Sequence, residues 1–163
     1  MTYGLRDLDG QVVEVCDDCG FDARFVSDAA SSLDSAFTAM QLLQQRPHAT
    51  VRPAAEVWSA AEYAHHVVWG SNIVRALIMA ALGRSPTGPG DDLESTRAAC
   101  VQLAASLSEA DRLVSCPFEG APTDTGQLIL HLLHDVEHHV LDVRRGYAVL
   151  ALAASAAVFP LDT

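Results

Sequence analysis

Six of the seven histidines in this chain fall into two short clusters. His65 and His66 are neighbours, and the second cluster lies downstream, comprising His131, His134, His138 and His139. A neutral imidazole is the commonest protein ligand of transition metals, and a catalytic metal site keeps one position open beside its protein ligands. The two clusters therefore predict a metal site, provided that the elements carrying them meet.

Helical spacing indicates which downstream histidines can share an ion. At about 100° per residue, His134 and His138 lie about 40° apart on a helix and one turn from each other, and His131 lies about 60° from His134. His139 is displaced by about 100° from His138, so we expect it to point elsewhere. The pair His134 and His138 is predicted to hold one ion.

The upstream cluster contains one residue that faces the protein interior and one that does not. On a helical wheel, His66 shares its side with an apolar arc, so it is predicted to point inward, whereas His65 falls at the rim or in solvent. That arc comprises Tyr63, Gly70, Ile73, Val74, Leu77 and Ala81.

The downstream cluster is harder to interpret, because its strongest apolar arc lies nearly opposite His134. That arc comprises Ile129, Leu132, Leu133, Val136, Val140 and Val143. The side carrying His134 also holds Gln127, Asp135, Asp142 and Arg145. From spacing alone, this side is equally well interpreted as a solvated polar face or as a wet cleft.

Two cysteines near the N-terminus form half of a zinc-binding motif. Cys16 and Cys19 have the spacing of a zinc knuckle, but a structural site needs two further ligands and no second C-x-x-C is present. Cys100 and Cys116 are isolated, and His48 is the one histidine outside the clusters. A second zinc site at Cys16 and Cys19, a redox pair and a simply packed pair all remain open.

Composition sets limits on the class of protein. The chain has 163 residues, 50% of them apolar and 19% charged, which predicts one globular unit. The net charge of −11, with every basic residue an arginine, disfavours a nucleic-acid partner. No apolar run approaches the roughly 20 residues of a membrane span, and no signal-peptide pattern precedes residue 10. With few cysteines, a cytoplasmic location without membrane contact is expected.

The periodic segments predict an all-α fold. Four helices are expected at about 26–45, 59–83, 91–107 and 124–146, with a short fifth helix at 147–159, which either packs on the bundle or meets another subunit. Residues 5–15 are predicted as a hairpin. We therefore divide the chain into an N-terminal appendage with the C-x-x-C motif, 1–24, and a helical bundle, 25–163.

Local signals mark where these helices begin and end. Ser59 and Glu62 have the spacing of a capping box, Asp91 and Glu94 repeat a cap followed by an acid, and Gly146 suits the residue that follows a helix end.

Two segments resemble signatures of the DinB-like (DinB/YfiT) four-helix-bundle metalloproteins. The run from Trp58 to His66, WSAAEYAHH, is similar to their second-helix pattern W-S-x-x-E-x-x-x-H. The run from His134 to His139, HDVEHH, is similar to their fourth-helix pattern H-x-x-x-H. The two matches together cover, by implication, residues 25–146.

The resemblance implies a bundle with one long crossover, a homodimer, and a zinc or nickel ion held by His66, His134 and His138. It also implies an enzyme that acts on a small molecule with a low-molecular-weight thiol, as bacillithiol-dependent S-transferases and mycothiol-dependent maleylpyruvate isomerase do. Among these thiols mycothiol is favoured, because the all-arginine, alanine-rich composition indicates a source with a high GC content. The first alternative is a metal-dependent hydrolase that uses a metal-bound water. The second is a non-catalytic metal- or ligand-binding protein, and the third is a pure scaffold.

Several charged residues are candidates for supporting roles. Glu62, Asp135, Glu137 and Asp142 could orient imidazole rings, although Glu62 also suits a cap and Glu137 a surface charge. Arg145 could bind a substrate carboxylate, although arginine is common at a helix end.

Overall fold

A computed structural model of the chain describes residues 3–8, 10–85, 88 and 90–158, and this part is mostly helical. A two-stranded sheet precedes five α-helices within these ranges. The strands are β1 (Tyr3–Leu8) and β2 (Gln11–Cys16), and the helices are α1 (Ala29–Gln44), α2 (Ala60–Ala81), α3 (Leu93–Ser106), α4 (Glu109–Arg112) and α5 (Thr125–Val158). The all-α prediction is confirmed in broad terms, and α4 is a single turn.

The core lies between the four long helices. Helix α1 packs against α3 and α5, and α2 packs against the same two helices. The apolar arc predicted for the downstream histidine segment is buried in α5, as expected: Ile129, Leu132, Leu133, Val136, Val140 and Val143. The histidines of α5 therefore emerge on its other sides.

The helix starts follow their caps. Ser59 and Glu62 form the predicted capping box at the start of α2, and Glu62 accepts a hydrogen bond from the Ser59 amide at 2.9 Å. The cap of α3 is Asp92, one residue later than expected, because its side chain pairs reciprocally with Ser95. Asp28 caps α1, so this helix begins later than the predicted residue 26.

Helix α5 does not stop at Gly146, so the prediction that a helix ends there is wrong. The helix runs on to Val158 without a break, and the predicted separate fifth helix is its C-terminal part. A Cβ on Gly146 would lie 2.9 Å from Cγ of Pro53, closer than real side chains approach. Gly146 thus permits close packing of α5 on the 45–59 connection, which explains a glycine that does not end a helix.

The N-terminal hairpin is confirmed. Strands β1 and β2 pair antiparallel from Tyr3 opposite Cys16 to Leu8 opposite Gln11, and Gly10 adopts a positive φ of 84° in the turn. The hairpin lies along α5: Gln127 donates to the Val12 carbonyl at 2.9 Å, and Arg145 donates to the Asp18 carbonyl at 3.1 Å.

A few predicted features involve residues outside the described ranges. These are residue 9 of the hairpin turn, residues 86, 87 and 89 of the loop after α2, and residue 159 at the end of the predicted tail helix. Within the described ranges, none of the helices combines the length and the apolar character needed to cross a bilayer.

Candidate metal centres

Side chains of α5 that could bind a metal converge with other elements on two sides of the helix. On one side, His134 and His138 meet Cys16 and Cys19 of the hairpin, and we call this group the hairpin–α5 cluster. On the other side, Asp135 and His139 meet His66 of α2, and we call this group the α2–α5 centre. In each group, one potential ligand atom per residue lies within 4.8 Å of all the others.

The three imidazoles of the predicted triad are therefore divided between the two groups. His134 and His138 lie together, as their spacing predicts, but the structure pairs His66 with Asp135 and His139 instead. The reason is the rotation of about 100° between consecutive helical residues, which turns residues 135 and 139 toward α2 and residues 134 and 138 toward the hairpin.

The α2–α5 centre contains two imidazoles and one carboxylate. The rings of His66 and His139 meet edge to face with centroids 5.0 Å apart. Nε2 of His139 lies 3.5 Å from Oδ1 of Asp135. Gly70 of α2 faces this carboxylate, since a Cβ there would lie 3.7 Å from Oδ2 of Asp135. All three side chains are partly buried.

The other nitrogen of His139 is held by a second carboxylate. Nδ1 of His139 lies 3.3 Å from Oδ2 of Asp142. Burial alone would lower the pKa of His139, but Asp135 and Asp142 outweigh it and raise this pKa to about 9. At His66, burial and the nearby His139 lower the pKa. The two carboxylates thus favour the protonated form of His139, whereas the surroundings of His66 favour its neutral form.

An aromatic pocket of about 600 Å³ lies beside His66. Trp58 and Trp69 line it, with their ring centroids 5.1 Å and 5.8 Å from that of His66. Both indoles are exposed, at 40% and 59% of their surface. Glu62 and His65 complete its polar lining. Exposed tryptophans around a concave surface are typical of ligand sites.

The hairpin–α5 cluster is more deeply buried. His134 has no exposed surface and Cys16 is 4% exposed. The Cys16 sulfur lies 3.6 Å from Nδ1 of His138. The carboxylate of Glu14 accepts from Nδ1 of His134 at 2.5 Å and lies 3.2 Å from Nδ1 of His131. The alternative of a solvated polar face is therefore wrong for this part of α5, because the hairpin covers it.

The remaining candidates lie away from the ligands. Glu62 binds Arg52 in addition to its capping contacts, and this pairing lowers the pKa of Glu62 to about 2. Glu137 is exposed on α5. Arg145 contacts Asp142 at 3.8 Å and the carbonyl of Asp18, so it supports the hairpin rather than lining the aromatic pocket.

Sequence reasoning missed Asp135 and His139 as a pair of potential ligands. The signal was present, because residues 135 and 139 have the same i, i+4 spacing as residues 134 and 138.

His65 is exposed, as the helical wheel predicts, and His66 is partly buried. The predicted inward arc of α2 is wrong in part, because Ile73 and Leu77 are 40% and 38% exposed. The buried face of α2 includes Ala64, Val67, Ser71, Val74 and Ile78.

Comparison with models of protein families, with characterised proteins and with solved structures finds no match to this chain.

Proposed function

We propose that this protein is a metal-dependent enzyme of the DinB-like kind, which holds a divalent zinc or nickel ion at the α2–α5 centre and uses a small thiol to transfer or isomerise a small molecule. The observation that carries the proposal is the convergence of His66, Asp135 and His139 beside an aromatic pocket. The same proposal includes a four-helix bundle with one long crossover.

The donor set suits such an ion. Two imidazoles and a carboxylate are a common ligand set of catalytic zinc, and three protein ligands leave one position for a substrate or a thiol. In this proposal Asp135 and His139 take the places that the resemblance gave to His134 and His138.

A divalent ion held there would favour the thiolate form of a coordinating thiol, which is the nucleophilic form. The protein's own residues position the reactants. Asp142 accepts from Nδ1 of His139 and so directs Nε2 toward Asp135 and His66. Trp58 and Trp69 supply flat apolar walls for a substrate, and the Tyr63 ring lies 5.2 Å from that of His139.

We include a homodimer in the proposal. The last turns of α5 extend apolar side chains into solvent, with Val149 47% and Leu152 72% exposed. A second copy of the chain would remove this surface from water. Sedimentation of the purified protein over a range of concentrations measures the assembly, and a monomer at all concentrations would contradict it.

Metal content tests the centre directly. Purified full-length protein and the variants His66→Ala and His65→Ala would be compared by elemental analysis. We expect His66→Ala to lose one ion per chain, whereas His65→Ala, which removes the neighbouring exposed imidazole, retains it. Equal metal content in the three proteins would contradict the proposal.

Thiol dependence tests the reaction class. The loaded protein would be incubated with an electrophilic substrate, with and without mycothiol, bacillithiol or glutathione. We expect turnover only with an added thiol. Undiminished turnover without thiol would show a hydrolase that uses water. If the metal-loaded protein turned over no substrate with any of the three thiols, a binding protein would be favoured.

A further inference from the structure

The C-x-x-C motif of the hairpin is not used by the α2–α5 centre, yet it lies against two histidines of α5. Cys16 and His138 are 122 residues apart in the sequence, and their side chains touch. Cys19 and His134 complete a group of four potential ligands, two of them fully or almost fully buried. No short sequence motif brings these four residues together.

We infer that Cys16, Cys19, His134 and His138 form a closed, tetrahedral zinc site that fastens the N-terminal hairpin to α5. This inference is independent of the proposed function, because it involves a different set of ligands and requires no chemistry at the aromatic pocket.

The geometry matches zinc. With Zn–S bonds of about 2.3 Å and Zn–N bonds of about 2.0–2.1 Å, sulfur and nitrogen in a tetrahedral site lie about 3.6 Å apart. The Cys16 sulfur and Nδ1 of His138 are 3.6 Å apart, and all four ligand atoms lie within 4.8 Å of one another. Two thiolates and two imidazoles are a common structural zinc set, and they leave no position for a substrate.

The turn that carries the cysteines has the shape of a knuckle. The Gly20 amide donates to the Cys16 carbonyl at 3.0 Å, and the Cys16 amide donates to the Phe21 carbonyl at 2.9 Å. Gly20 has a positive φ of 77°, which closes the turn. The turn thus brings Cys16 and Cys19 together on the side that faces His134 and His138.

Carboxylates orient both imidazoles. Glu14 accepts from Nδ1 of His134, which leaves Nε2 as the ligand atom of that ring. Asp142 lies 3.6 Å from Nε2 of His138, whose Nδ1 faces Cys16. Phe21 stacks on His134 with ring centroids 4.9 Å apart and shields it from water. A carboxylate behind each metal-binding histidine is typical of zinc sites.

A competing group shares His134. Glu14, His131 and His134 also lie close enough for a metal, but this group would use Nδ1 of His134. It offers three ligands without sulfur, whereas the Cys/His set offers four, including two soft thiolates that select zinc. We therefore assign Glu14 the role of orienting His134.

Cobalt substitution tests the site in the full-length protein. Metal would be removed with a chelator under reducing conditions and replaced by Co²⁺. We expect a thiolate-to-cobalt charge-transfer band and intense visible bands of tetrahedral cobalt. The double variant Cys16→Ser/Cys19→Ser, which removes both thiolates, should abolish the charge-transfer band. Cys100→Ala, which removes a thiol elsewhere, and His66→Ala should retain it. Absence of the band in the unmodified protein, or its persistence in the double variant, would overturn the inference.

A second measurement needs no variant. Titration of the zinc-loaded protein with a thiol-capping mercurial, in the presence of a chromogenic chelator, should release one zinc ion per chain. No release from zinc-loaded protein would overturn the inference and leave the α2–α5 centre intact. A Cys16–Cys19 disulfide that persists in protein supplied with excess zinc under reducing conditions would also overturn it, by showing a redox pair.

Discussion

The hairpin–α5 cluster and the α2–α5 centre use neighbouring residues of one helix and differ in almost everything else. The cluster combines four donors, two of them sulfurs, and is buried under a hairpin. The centre combines three donors, none of them sulfur, and lies beside a pocket of about 600 Å³. The comparison teaches that the role of a helical histidine depends on which element covers its side of the helix.

One carboxylate connects the two groups. Oδ2 of Asp142 lies 3.6 Å from Nε2 of His138 and 3.3 Å from Nδ1 of His139. His138 thus turns Nδ1 toward Cys16 of the hairpin–α5 cluster, and His139 turns Nε2 toward Asp135 of the α2–α5 centre. A substitution of Asp142 should therefore weaken metal binding in both groups, whereas a substitution of a single ligand should weaken it in one group only.

The largest expected effect is on stability, from loss of the cluster. Cys16→Ser removes a zinc ligand and frees the hairpin, at a cost of about 4 kcal/mol, a fraction of the free energy that structural zinc supplies to small domains. At roughly 3 °C per kcal/mol for a chain of this length, we expect the Tm to fall by about 12 °C. Calorimetry of the zinc-loaded proteins measures it, with Cys100→Ala as the control. A Tm equal to that of the unmodified protein would contradict a structural role.

The next effect is on activity, from loss of the centre. Asp135→Ala removes a ligand beside the pocket and should reduce thiol-dependent kcat/KM by more than about 100-fold, or about 2.7 kcal/mol. The Tm should change little, because the cluster remains. Glu137→Gln, two residues away and exposed, is the matched control. The comparison fails if Asp135→Ala keeps full activity.

Much of the fold follows from the sequence. The apolar arc of α5, the capping box at Ser59 and the hairpin are each encoded by residues close together in the chain, so local periodicity and capping predict them. The end of α5 cannot be predicted in this way. Gly146 lies inside the helix because it packs against Pro53, and this contact exists only in the folded chain.

The site is predicted less fully, for the same reason. Spacing places His134 and His138 on one side of α5, and this expectation matches the structure. Spacing also places His66 on an inward arc with Ile73 and Leu77, but these two side chains are exposed and His66 is only partly buried. Spacing does not specify which side of α5 faces α2. Cys16 and Cys19 lack two ligands when considered locally, because their partners lie on a helix at the far end of the chain.

A smaller effect is expected when the shared carboxylate is changed. Asp142→Asn keeps the shape of the side chain but removes its charge, and we expect metal affinity to fall by about 10- to 100-fold in both groups. Competition with a chelator of known affinity measures the metal affinity of each group. The control is again Glu137→Gln. Weakening in one group alone would show that Asp142 does not serve both.

The smallest effect separates stability from metal binding. Gly146→Ala places a Cβ against the Pro53 ring, and the strain should outweigh the better helix propensity of alanine, lowering stability by about 1 kcal/mol. Metal content should stay unchanged. If this variant lost metal as Cys16→Ser does, the metal loss in the latter would reflect general destabilisation.

The most direct test of two separate centres is an anomalous difference map from crystals of the metal-loaded protein. We predict two peaks per chain, one among Cys16, Cys19, His134 and His138 and one among His66, Asp135 and His139. A single peak bound jointly by His66, His134 and His138 would contradict the division of the histidines and restore the simpler triad.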